Sequence, residues 1–233
     1  RRQDFFLMGE VIHNQNFQKN LTPERLDSIT NYECYKGLTS ALNADNLFEI
    51  EHSLERLFGS QPWCLYTGKN LFSFVDNHDV PRAYTALHDK RKLAAMYAIL
   101  YGMPGIPCVY YGSECGAEGD KSDNDYKLRP AIGQIDKVKC PALSALIRKL
   151  NAVRKSEPAL QYGSYEKCVL SNKYMCFKRE RGGDRVYCAY NISDGDVTVR
   201  VEEAEGTDLL TGEVRNLNDI YLPPFAVKLF KKN

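Results

Sequence analysis

Phe74-Val75-Asp76-Asn77-His78-Asp79-Val80-Pro81-Arg82 is the stretch on which the fold turns. An apolar run beginning at Leu71 stops in acid, amide, imidazole and acid within four residues. A strand buried on both faces reads as continuous apolar sequence, so residues 71–75 are predicted as such a strand, with the polar residues in the connection leaving it. The same pattern recurs outward in both directions. Phe5-Phe6-Leu7-Met8-Gly9-Glu10-Val11-Ile12-His13 precedes it, Ser28-Ile29-Thr30-Asn31-Tyr32 is a second short strand, and Ile106-Pro107-Cys108-Val109-Tyr110-Tyr111 follows it. Helical periodicity fills the gaps. Thr22-Pro23-Glu24-Arg25 resembles a helix start. Leu38, Leu42, Leu47, Ile50, Leu54 and Leu57 predict one helix over 38–58, closed by Gly59. Further helices are predicted over 91–101 and 141–153.

After residue 163 the pattern changes to short β-runs divided by turn signals such as Gly182-Gly183 and Asp194-Gly195. This part predicts a small antiparallel β-sandwich. The fold class is therefore α/β followed by all-β, divided near residues 160–163. Strand–helix units belong to a doubly wound sheet or to a closed (β/α)8 barrel. Four strands are half of the latter, and barrel chemistry gathers at the C-terminal ends of strands.

Composition narrows the function class. Thirty-one basic residues against thirty acidic ones leave a net charge of +1, which gives no electrostatic case for nucleic acid or an anionic membrane. No apolar run reaches the length of a membrane-spanning helix. The eight cysteines include no C-x-x-C pair, so zinc and thioredoxin-type chemistry lack their spacing. Reduced core thiols in a cytoplasmic protein are the expectation, with disulfides in a secreted protein as runner-up. Asn20-Leu21-Thr22 and Asn191-Ile192-Ser193 fit the glycosylation pattern, which arises often by chance.

Three strand ends carry candidate chemistry. Glu10 lies inside an apolar run, and a buried carboxyl has its charged form destabilised, which suits proton delivery near neutral pH; a glutamate simply paired with an arginine is the equal alternative. Asn77, His78 and Asp79 can hydrogen-bond a polyhydroxyl substrate while satisfying one another, or Asp79 can be a helix N-cap. A metal reading of His78 and Asp79 lacks a second histidine cluster. Tyr110, Tyr111 and Glu114 suit a sugar-binding wall, against core aromatics plus a loop carboxylate.

Gly9-Glu10-Val11-Ile12-His13, Phe74-Val75-Asp76-Asn77-His78-Asp79 and Gly105-Ile106-Pro107-Cys108-Val109-Tyr110-Tyr111-Gly112-Ser113-Glu114 resemble, in order and spacing, three motifs of the α-amylase superfamily (glycoside hydrolase family 13). The resemblance extends over nearly the whole chain, the Asn-His-Asp motif being the most specific. The Glu-Val-Ile-His wording and Asn31-Tyr32-Glu33 look most like the cyclomaltodextrinase, neopullulanase and maltogenic amylase group. The resemblance implies that residues 1–160 are strands five to eight of a (β/α)8 barrel and residues 161–233 the C-terminal β-sandwich. It implies a retaining hydrolase or transglycosylase of α-1,4-glucans or maltooligosaccharides. Glu10 then matches the general acid/base and Asp79 the carboxylate that grips the sugar's 2- and 3-hydroxyls. His78, His13, Asn77, Tyr32 and Tyr111 match substrate-binding positions, with no metal and no cofactor in this chain.

One departure matters. The family's nucleophile is an aspartate in a Gly-x-Arg-x-Asp motif on the fourth strand, and that motif does not occur here. The resemblance therefore implies a C-terminal part of a longer enzyme, with any calcium site in the part before Arg1. Alone it is expected to be inactive, and to pair with the missing half-barrel or self-associate to cover its open sheet edges. A non-catalytic sugar- or partner-binding relative is the alternative, as in the heavy subunits of amino-acid transporters. A sugar-binding module stacking on Tyr110, Tyr111 and Trp63 is a third reading. In the loop over 116–129, Asp120, Asp123 and Asp125 read first as a solvated face.

Overall fold

The computed structural model describes residues 4–12, 17–121 and 125–233. Four short strands lie parallel in chain order. β1 (Met8–Gly9) pairs with β2 (Ser28–Ile29), Thr30 bridges to Phe72, and β3 (Phe72–Phe74) pairs with β4 (Ile106–Cys108). Parallel neighbours need a crossover of a dozen or more residues. Here α1 (Tyr32–Ala44) and α2 (Phe48–Phe58) join β2 to β3, while α3 (Ala83–Ala86) and α4 (Leu93–Gly102) join β3 to β4. After β4 come α5 (Asp125–Leu128), α6 (Pro141–Ser156) and α7 (Pro158–Tyr162).

The structure corrects four sequence expectations. The single helix over 38–58 is two. Asn31, predicted at the end of a strand, instead caps α1 by accepting from the Cys34 N–H at 3.0 Å. Asp45 ends α1 in the left-handed region (φ 54°), a conformation that Asp tolerates better than most residues. No helix follows Thr22-Pro23; the chain there makes a turn closed by Arg25 N–H to Thr22 O at 3.0 Å. The strand read over residues 5–12 pairs only at Met8–Gly9, and Phe5, Phe6 and Ile12 are more than half exposed. Apolar composition alone did not bury it, because among the described residues only β2 flanks it.

The last third is a six-stranded antiparallel sheet. Its order is β5 (Ser164–Leu170), β6 (Tyr174–Arg181), β7 (Asp184–Asn191), β12 (Val227–Lys232), β9 (Glu205–Asp208), β10 (Val214–Asn216). The β6–β7 hairpin closes through Gly182 and Gly183, both at positive φ, as a two-residue turn between twisted strands requires. Side-chain alternation divides the sheet. Val186, Cys188 and Tyr190 of β7 join the large core with α4, whereas Tyr187 and Ala189 face a second cluster. That cluster is completed by β8 (Val197–Val199) and β11 (Ile220–Leu222), which pair as a second layer. The two layers fit a β-sandwich. The first core is continuous from the helices into the sheet: Leu93, Tyr97 and Leu100 belong to the same cluster as Phe177 and Leu229. Asn191 is fully buried, with Nδ2 donating to Leu222 O at 3.1 Å, so its glycosylation pattern is structural coincidence.

All eight cysteines are free. Among the described residues no helix is long and apolar enough to cross a membrane.

Candidate active site

Polar residues leave the parallel strands at one end. Glu10 follows β1, Tyr32 opens α1 just after β2, and Asn77, His78 and Asp79 follow β3. The ends from which strands lead into their crossovers are where α/β sheets place ligands. Asn77 shapes the last of these connections, its Oδ1 accepting the Asp79 N–H at 2.8 Å in a side-chain turn.

These side chains meet. The Tyr32 hydroxyl donates to Glu10 Oε1 at 3.2 Å and accepts from Asn77 Nδ2 at 3.0 Å. His78 Nε2 lies 3.3 Å from Asp79 Oδ2 and 3.9 Å from Glu10 Oε1. One ligand atom from each of Glu10, His78 and Asp79 lies within 4.8 Å of the other two. The imidazole thus stands between two carboxylates that are 69 residues apart in sequence. Tyr32 is itself buried; desolvation pushes its hydroxyl pKa up, helped by the negative charges of Glu10 and Asp79, so it stays a donor.

The expected burial of Glu10 is corrected. Its side chain is 46% exposed, with His78 at 43% and Asp79 at 42%. The neighbours that suggested an apolar pocket, Phe6, Met8 and Ile12, are exposed themselves. The cluster is open to a ligand from solvent.

Arg129 was not anticipated. Its Nη2 sits 2.9 Å from Asp79 Oδ1 and its Nε donates to the His78 carbonyl at 3.1 Å. It lies just past α5 in the post-β4 loop, fifty residues from Asp79, and no local pattern pointed to it. The same loop's Asp125 carboxylate is 3.9 Å from Arg129. Tyr111 has other partners: its ring packs on the Arg82 guanidinium at 5.0 Å and its hydroxyl donates to Pro130 O at 2.8 Å. Tyr110 covers the same guanidinium at 4.2 Å. Trp63 is exposed in the connection that enters β3, whereas Asn77–Asp79 leave it. Asp79 is no helix cap, since α3 starts only at Ala83. His13 and Asp123 lie outside the described residues. The trio of Glu10, His78 and Asp79 has donors spaced to hold a metal ion, but the Arg129 cation already neutralises Asp79, which suits hydroxyl groups better.

Residues 1–139 match the family model described as Alpha-amylase (Alpha amylase, catalytic domain). The chain belongs to the α-amylase family. Among curated relatives it is 30% identical over 149 residues to a cyclomaltodextrin glucanotransferase from Bacillus sp. (strain 38-2), covering 64% of this chain and 20% of that protein. A second such enzyme, from Geobacillus stearothermophilus, is 31% identical over 121 residues, covering 52% and 16%. The chain thus spans about a fifth of the length of these curated relatives. The structure of an Anoxybacillus α-amylase superposes with a TM-score of 0.81 at 25% identity, over 99% of this chain and 53% of that one. An α-amylase from Geobacillus thermoleovorans shares the fold at a TM-score of 0.80 and 19% identity, over 100% of this chain and 54% of that one.

Proposed function

We propose that this chain carries the acid/base and sugar-gripping side of a retaining hydrolase or transglycosylase of α-1,4-glucans. The observation that carries the reading is the meeting of Glu10, His78 and Asp79 within 4.8 Å at the strand ends. Membership of the α-amylase family and likeness to cyclomaltodextrin glucanotransferases support the substrate class.

Glu10 is the proton donor to the glycosidic oxygen and then the base toward water or an acceptor sugar. Tyr32 orients it through the 3.2 Å hydrogen bond. Asp79 and His78 bind adjacent sugar hydroxyls, and the Asp79 charge favours the oxocarbenium-like transition state. Asn77, held by the Tyr32 hydroxyl, and Tyr111 are the further sugar-binding side chains. The parallel strands β1–β4 are strands five to eight of a (β/α)8 barrel over residues 1–160, and residues 161–233 are the β-sandwich. No metal or cofactor from this chain enters the chemistry. The covalent step needs an aspartate nucleophile, and no Gly-x-Arg-x-Asp occurs in the 233 residues. The first half of the barrel supplies it, and this chain alone grips sugar without cleaving it.

Titration of the full chain with maltopentaose, followed by calorimetry and by release of reducing ends, tests this. Saturable binding, weakened by Asp79→Asn and with no turnover, is the expected result. Absence of binding at millimolar sugar overturns the substrate assignment. Turnover by this chain alone overturns the external nucleophile. Binding that Asp79→Asn leaves intact but substitution of Tyr110 and Tyr111 abolishes favours a stacking module instead.

A further inference from the structure

We propose that Ser113 is a positioning residue whose buried hydroxyl ties Asp76 to Arg82 and thereby fixes the loop presenting His78 and Asp79. Asp76 and Arg82 are the two ends of that loop. Ser113 lies beyond β4, in the 3-10 turn that begins the post-β4 connection. Its Oγ donates to Asp76 Oδ2 at 2.6 Å and accepts from Arg82 Nη1 at 3.0 Å. One hydroxyl therefore closes residues 76–82 into a ring through a neighbouring strand end.

The surrounding contacts reinforce the closure. Asp76 Oδ2 also accepts the Ala83 N–H at 2.8 Å, and Arg82 Nη1 also donates to Tyr111 O at 2.8 Å. The Arg82 N–H donates to Gly119 O at 3.0 Å, and the guanidinium packs on the rings of Tyr110 and Tyr111. Asp76, Arg82 and Ser113 are 1%, 0% and 2% exposed. Asp76 Oδ1 and Arg82 Nε and Nη2 lack hydrogen-bond partners among the described residues, so the bonds through Ser113 are a large share of what this buried pair has.

The contrast with the presented groups gives the anchor its function. His78 and Asp79 are each over 40% exposed, so packing does little to lock their side chains. Besides the Arg129 contacts, their position is set by the backbone between two buried ends. A hydroxyl can donate to a carboxylate and accept from a guanidinium at the same time; a methyl group does neither, and threonine does both. Asp76 and Arg82 stand three residues either side of Asp79, and Ser113 joins them from 37 residues beyond Asp76.

The inference rests on the sugar-gripping reading of His78 and Asp79 only for its consequence, not for its geometry. Histidine imidazole NMR spectra of the full chain test it, recorded for the wild type, Ser113→Ala and Ser113→Thr, with and without maltopentaose. Ser113→Ala is expected to displace the His78 imidazole signals while leaving those of His52 and His88 in place. It is expected to weaken maltopentaose about tenfold. Ser113→Thr is expected to restore both. His78 signals that superimpose on the wild type in Ser113→Ala overturn the proposal, as does a Ser113→Thr protein indistinguishable from Ser113→Ala. Should Ser113→Ala fail to fold, Ser113→Cys, which fills the same space with a thiol that donates and accepts only weakly, must displace the same His78 signals or the proposal falls. Displaced His78 signals in a chain whose wild type binds no sugar sink the sugar reading and leave the anchor standing.

Discussion

Arg129 and Asp79 form an ion pair at 2.9 Å across the mouth of the candidate site, with both side chains nearly half exposed. An exposed pair is worth little because water screens it, on the order of 0–1 kcal/mol. Its effect is on orientation: with Oδ1 on Arg129, Asp79 turns Oδ2 toward His78 at 3.3 Å. Arg129→Gln should therefore change unfolding free energy in a urea titration by less than about 1 kcal/mol. Maltopentaose affinity should fall severalfold in the same protein. A large loss of stability would instead make Arg129 an anchor of its loop.

Tyr32→Phe separates the ring from the hydroxyl. The ring packs edge-on against Phe74 at 4.9 Å, and phenylalanine keeps that contact. The hydroxyl links Glu10 to Asn77, and losing one such hydrogen-bonding group costs about 1 kcal/mol. The Asn77 side-chain amide signals should move in the 15N spectrum while the melting temperature falls only slightly. Unmoved Asn77 signals would show that the bridge does not hold in solution.

Glu203 sets an acid limit on the β-region. Lys232 Nζ at 2.9 Å, Arg185 Nη1 at 2.5 Å and the Tyr187 hydroxyl at 3.0 Å hold its carboxylate. Led by the Lys232 hydrogen bond, these contacts lower its pKa to about 2. The unfolded value is about 4.3, so the folded chain binds the proton less readily than the unfolded one. The stabilisation is complete above that value and disappears as pH falls toward 2. Stability against pH, measured by denaturant titration, should slope less steeply in that window for Glu203→Gln than for the wild type. Parallel profiles would contradict the assignment.

Arg179 joins the helical part to the sheet. It is 1% exposed, and its guanidinium donates to Gly102 O at 2.7 Å, Gly163 O at 2.8 Å and Ser164 O at 3.0 Å. A lysine head cannot reproduce that planar fork, and stranded buried carbonyls cost about 1–3 kcal/mol each. Arg179→Lys should lower the urea midpoint by the equivalent of roughly 2–4 kcal/mol. A midpoint within error of the wild type would show that water replaces the fork.

Much of this was legible residue by residue. The Phe74-to-Asp79 stretch announces a strand followed by a polar connection, and Gly182-Gly183 announces the hairpin between β6 and β7. The break at Asp45 was not legible, because leucines at helical spacing continue through it. The exposure of Glu10 was missed because apolar neighbours signal burial only when another element lies over them.

By itself the sequence determined the succession of the four short strands, the change to antiparallel pairing after residue 163 and the identity of the acid, imidazole and amide groups, since periodicity, turn chemistry and side-chain type are local properties. Only the tertiary structure decided that Glu10 and Asp79 share one imidazole, that Arg129 neutralises one of them, and that Ser113 joins the ends of the loop beneath. Distances between residues tens of positions apart arise from how parallel strands stack, and no local pattern encodes them.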